Sequence, residues 1–314
     1  MTDQNKFAEI CREDISALFP TVPERANKGS MGRVLLVCGS YDGHGAAMCG
    51  AAFFSSMAAY RCGAGIVEIF THRKNFGALA SLCPEAVFSL YDTDAEGIRD
   101  ICVRLADKIR RADSVVLGCG LGKSDLAIEA VKTTLESTRV PLVIDADGLN
   151  ILAENDNLWA HLSSEQRKMT VITPHMGEMS RLCGKSIEKI LSSPIEVAAE
   201  YAKSRGIICL LKDHNTVITD ENITYINHTG NAGMATGGMG DVLSGIIGAL
   251  LARKTVADWV SNEKRDLPPV LYRTATAAYI HGLAGNRAAE IVGEYSLIAS
   301  DLLKTLPEII KENR

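Results

Sequence analysis

The chain has 314 residues, 46% of them hydrophobic and 23% charged, enough to bury one large core or two small ones. Its formal charge of −5 argues against a nucleic-acid surface, and it holds no run of about 18 apolar residues to span a membrane. The polar start Met1-Thr2-Asp3-Gln4 lacks a signal-peptide core, and the nine cysteines form no C-x-x-C pair; a cytoplasmic protein with small buried thiols is expected, without a disulfide framework or zinc site.

Short β-branched runs alternate with longer helical segments along the chain. Arg33 to Cys38 reads as the first strand, and Ala46 to Arg61, rich in Ala, Met and Phe, as the helix after it. Ser114 to Leu117, Pro141 to Ile144, Thr170 to Ile172 and Ile207 to Leu211 follow as strands, with a helix over Ile195 to Ser204. Continuous apolar runs of this length suit strands covered on both faces, so the expected fold is α/β: a mainly parallel central sheet flanked by helices on both sides. Ala252 to Pro269, carrying Arg253, Lys254, Glu263, Lys264, Arg265 and Asp266, reads as a solvated excursion. No repeat, low-complexity tract or linker divides the chain, and a single domain over 1–314 is expected.

Ligands of open parallel sheets bind outside the carboxyl ends of the strands. Each candidate strand ends on suggestive groups: Gly39-Ser40, then Gly118-Cys119-Gly120-Leu121-Gly122, Asp145-Ala146-Asp147-Gly148-Leu149-Asn150, Thr173-Pro174-His175-Met176-Gly177-Glu178, and Lys212-Asp213-His214-Asn215-Thr216. Each taken singly is also ordinary turn chemistry. The most informative stretch is Gly230 to Asp241, which runs directly into the apolar helix-like segment Val242 to Leu251. Glycines allow close backbone approach, and free N–H groups at a helix start attract phosphate. Asp241, in the first turn, is either a general base beside a transferred phosphoryl group or a helix cap.

These residues carry a resemblance. From about Lys28 onward, through Lys28-Gly29-x-x-Gly32, Gly45-Ala46, Arg61-x-Gly63-Ala64-Gly65, Gly120-Leu121-Gly122, Thr173-Pro174-His175-x-Gly177-Glu178, Lys212 and Gly233-Met234-Ala235-Thr236-Gly237-Gly238-x-Gly240-Asp241, the chain resembles the ADP/ATP-dependent NAD(P)H-hydrate dehydratases of the ribokinase-like superfamily. The resemblance implies a ribokinase-like fold and repair of NADH or NADPH hydrate: phosphorylation of the ring hydroxyl by ADP or ATP with Mg²⁺, then elimination of phosphate. It further implies that Asp241 deprotonates the hydroxyl and that the backbone N–H groups of Gly238, Met239 and Gly240 hold the phosphoryl group. Gly39, Ala46, Gly120, Gly122, Asp147, Asn150 and His175 fall on the substrate side. Lys212, Asp213, His214, Asn215, Thr216 and Gly240 fall on the nucleotide side, and Glu178 is the candidate for a water-mediated Mg²⁺ contact. As alternatives, His175 could merely satisfy turn carbonyls, and Glu178, three residues on, could serve a helix start.

Four positions depart from the family pattern: Met239 for Thr, Cys119 for Pro, Met176 for Pro and Asp213 for Gly. With about 27 residues before the first motif, no fused epimerase domain is expected. The partners implied are the hydrate, the nucleotide, a separate epimerase and further copies of the chain, with neither nucleic acid nor membrane. Two other readings stay open: a ribokinase-like small-molecule kinase that releases its phosphorylated product, and a nucleotide-binding regulator without turnover, which Met239 and Asp213 motivate.

Overall fold

In the computed structural model, which describes residues 6–41, 47–253 and 269–314, ten strands form one sheet. They are β1 (Lys6–Ala8), β2 (Arg33–Val37), β3 (Ile66–His72), β4 (Val87–Tyr91), β5 (Ser114–Leu117), β6 (Leu142–Ile144), β7 (Thr170–Ile172), β8 (Ile208–Leu211), β9 (Thr216–Thr219) and β10 (Ile223–Asn227). Their spatial order is β1-β10-β9-β8-β7-β6-β5-β2-β3-β4. Only β9 runs against the others, pairing antiparallel with β8 and β10. The five strands expected from sequence are present within a residue or so, and the helix expected over 195–204 is Pro194–Arg205.

Apolar side chains alternate between two cores. Val34 and Leu36 of β2 face one and Leu35 and Val37 the other, each fully buried, because successive strand residues point to opposite faces. The first core lies under the helices Cys49–Arg61, Met239–Ala252, Pro269–Val292 and Ala299–Glu312, and the second under Ile98–Ile109, Asp125–Ser137 and Pro194–Arg205. Met239–Ala252 is apolar nearly all round, as a helix must be when wedged between a sheet and other helices. Its closest neighbour is Cys49–Arg61: a Cβ on Gly245 would stand 2.2 Å from the Ser55 carbonyl oxygen, so only glycine permits this approach.

One expectation is overturned. Arg253, read as part of a solvated charge run, is buried, stacked 4.4 Å over the Phe19 ring and bonded to the Leu18 and Cys62 carbonyls. A guanidinium can be buried where backbone oxygens satisfy it, and a charge-run reading does not see those partners. The rest of that run, 254–268, lies outside the described residues, as does Ala46.

Candidate active site

The carboxyl ends of β6, β7 and β8 and the start of Met239–Ala252 converge on a cavity of 860 Å³. Its wall includes Asp145, His175, Glu178, Lys212, Gly240 and Asp241. Gly238, at φ +89°, is the N-cap, and its carbonyl accepts the Val242 N–H at 3.0 Å. The amides of Met239, Gly240 and Asp241 therefore precede any intrahelical acceptor and carry the positive end of the helix dipole. A side chain at Gly238 would meet the Phe54 ring at 2.8 Å, so the turn needs glycine for space as well as for its angle.

Asp241 is the third helical residue, one of the first turn, and the N-cap position itself is taken by Gly238. Its carboxyl pKa is pushed up to about 6, first by burial and then by the negative charge of Asp145, against the pull of Cys119 and Lys212. A carboxyl so placed is ionised above about pH 6 and holds a proton far better than a solvated one. Met239 is 5% exposed, packs into the core and also lines the cavity.

Asp145 organises the site. It is 2% exposed and accepts from Lys212 Nζ at 2.9 Å, Ser244 Oγ at 2.8 Å and the Ala146 amide at 2.9 Å. Ala146 is the one non-glycine at positive φ among the described residues, at +49°. Strain of this kind persists where surrounding bonds over-determine the backbone, and it collects at functional sites. Burial alone would lower the Lys212 pKa, but Asp145 and Glu178 outweigh it and raise it, so the ammonium stays charged.

His175 and Glu178 form a capping box at Met176–Cys183: the Glu178 carboxylate accepts the His175 amide at 2.9 Å, and His175 Nδ1 accepts the Gly177 amide at 3.0 Å. The helix-start role of Glu178 is therefore realised, His175 joins it as the cap, and both residues line the cavity. Among the described residues no three His, Cys, Asp or Glu side chains gather as a metal centre. Glu178 supplies a lone hard oxygen, a donor set that fits Mg²⁺ when waters and phosphates complete its shell.

The nucleotide-side candidates divide. Lys212 to Asn215 form the turn of the β8–β9 hairpin and Thr216 opens β9. Lys212, Asp213, His214 and Thr216 line the cavity, whereas Asn215 turns away to His228 at 2.7 Å. The substrate-side residues Gly39, Gly120, Gly122, Asp147 and Asn150 stand outside the cavity wall. The first glycine loops bond each other, Ser40 N to Gly120 O at 2.7 Å, and Gly122 N donates to Asp147 at 2.8 Å. Asn150 accepts from Arg181 at 2.9 Å. Sequence reasoning gave no role to Asp145, Ser244 or His281. Asp145 directly follows a three-residue buried strand and Ser244 lies one turn after Asp241, both usable signals; His281 sits mid-helix with none.

A family model of the NAD(P)H-hydrate dehydratases matches residues 34–308. A bifunctional NAD(P)H-hydrate repair enzyme of Moorella thermoacetica is 36% identical over 97% of this chain, which spans 53% of that protein's length. The ADP/ATP-dependent NAD(P)H-hydrate dehydratase of Bacillus subtilis, co-crystallised with ATP and Mg²⁺, superposes over 100% of both chains at 25% identity and a TM-score of 0.76. A ribokinase-like protein of Enterococcus faecalis superposes over 98% of this chain and 96% of its own at 27% identity and a TM-score of 0.79. The fold is ribokinase-like, and the chain belongs to the NAD(P)H-hydrate dehydratase family.

Proposed function

We propose that this chain, acting as a single catalytic domain, repairs NADH or NADPH hydrate at the expense of ADP or ATP. The observation that carries the reading is Asp241, raised to a pKa of about 6 and set among the first-turn helix amides on the wall of a cavity with a charged lysine. Asp241 takes the proton of the ring hydroxyl as its oxygen attacks the terminal phosphoryl group. The new O–P bond forms as the bond to the nucleotide's leaving oxygen breaks. The ring nitrogen's lone pair then expels phosphate with the C–O bonding electrons, and loss of a proton from the neighbouring carbon restores the dihydropyridine.

The chain's remaining groups position the reactants. The amides of Met239 and Gly240, with that of Gly238, hold the transferred group, since fixed donors stabilise charge without reorganising. Lys212, pinned by Asp145, meets the donor phosphates, with Asp213, His214, Asn215, Thr216 and Gly240 around the nucleotide. His175 contacts the hydrate, and the loops of Gly39, Gly120, Gly122, Asp147 and Asn150 lie along its dinucleotide. Glu178 would hold a Mg²⁺ ion through water, and that ion would supply positive charge against the donor phosphates. That the Bacillus subtilis dehydratase was co-crystallised with ATP and Mg²⁺ supports the use of a nucleotide. A separate epimerase is the proposed working partner, and a homo-oligomer the proposed assembly.

Incubation with hydrated NADH, Mg²⁺ and either nucleotide tests the reading. Dihydronicotinamide absorbance should return, with one phosphate released per ring restored. A stable phosphorylated product would make the protein a small-molecule kinase, and nucleotide binding without turnover a regulator.

A further inference from the structure

We propose that His281 is a positioning residue for the phosphoryl cradle: from the helix Pro269–Val292, its imidazole donates to the Met239 carbonyl and thereby aims and strengthens the Gly240 N–H. The His281 Nε2 lies 3.0 Å from the Met239 oxygen, and His281 lines the same cavity wall as Gly240 and Lys212. A carbonyl oxygen only accepts, so Nε2 carries the proton and the neutral tautomer is fixed. Burial, and the charge of Lys212 beyond it, hold the imidazolium form off, with a pKa lowered to about 4, so the ring stays neutral wherever Asp241 is ionised.

The Met239 carbonyl and the Gly240 N–H belong to one planar peptide unit. A hydrogen bond on the oxygen fixes the plane of that unit and polarises it, which makes its N–H a better donor to an oxyanion. Gly240 is the position where a Cβ would stand 3.3 Å from Lys212 Nζ, so this peptide adjoins the cation that faces the cavity. The inference rests on the reading that a phosphoryl group is held at that start.

Two variants separate positioning from packing: His281→Phe keeps a ring without the donor, and His281→Gln keeps an N–H donor without the ring. Each is titrated with ADP and Mg²⁺ by calorimetry, melted, and its Gly240 amide shift followed by ¹⁵N NMR. His281→Phe should stay folded, weaken ADP about three- to tenfold and move the Gly240 amide upfield, while His281→Gln recovers most of both. Wild-type ADP affinity and an unmoved Gly240 amide in folded His281→Phe would overturn the proposal. So would an Nδ1–H tautomer in the ¹⁵N spectrum of the wild type, a measurement that needs no variant to fold. Intact ADP binding with no repair of the hydrate would sink the dehydratase reading alone, leaving the role of His281 to be judged on affinity and amide shift.

Discussion

The burial that makes Asp241 a competent base also makes its ionised form expensive for the fold. Its folded-state pKa of about 6 lies above the ordinary 3.8, so the native state binds the proton more tightly. Stability is therefore lost as pH rises from about 4 through about 6, by about 3 kcal/mol at most. Asp241→Asn should gain that amount at pH 8 and nothing near pH 3.5, while the rate falls about 10²- to 10⁴-fold; denaturant melts at the two pH values and initial rates check both. Wild-type kcat/KM should climb through pH about 6 as the base ionises. Equal stability at both pH values with an undiminished rate would reduce Asp241 to a bystander. Met239 invites a different experiment, since it is buried in the core at the helix start beside Gly240 and Asp241. Met239→Thr should change the repair rate less than about tenfold and cost about 1–3 kcal/mol for lost apolar packing. Repair that appears only in the threonine variant would mean that a hydroxyl is required there.

At the scale of elements, Met239–Ala252 was legible because glycines, then Asp241, then an unbroken apolar run leave few other structures to form. Three of the strands missed from sequence, β3, β9 and β10, share a cause. In β3 the polar Glu68, Thr71 and His72 interrupt the apolar run, and they are buried because Lys108, Arg33, Ser89 and the Gly39 carbonyl engage them from other elements. β9 and β10 are rich in Thr and Asn, whose buried partners are likewise distant or cross-strand. Glycine positions in the same helix start should behave differently from one another. Gly240 has a helical angle, so Gly240→Val should cost less than about 1 kcal/mol of stability. Its Cβ would nevertheless face Lys212 Nζ at 3.3 Å and Asp145 Oδ2 at 3.5 Å. Nucleotide affinity by calorimetry should fall at least about tenfold through this crowding, and an unchanged affinity would move the phosphate elsewhere.

Across the whole molecule, the sheet's parallel centre and the site at its carboxyl edge followed from strand ends that each carried a polar or glycine group. What could not be read was which of those groups face the cavity. Asp147 and Asn150 looked as suitable as Asp145, yet the strained Ala146 turn sends Asp145 inward and leaves the other two to the Gly122 amide and Arg181. No helix among the described residues is long and apolar enough to cross a membrane.

The bonds of Asp145 join residues 67 and 99 positions apart, to Lys212 and Ser244. Chain segments so distant meet late in folding, because closing long loops must precede any gain from the contacts they make. Refolding from denaturant should accordingly show helical signal before any capacity to bind ADP, with binding returning in the same kinetic phase as the final burial of Trp159. An early collapsed species that already binds nucleotide would mean that the cradle at Gly238 to Asp241 works without its acid–lysine brace.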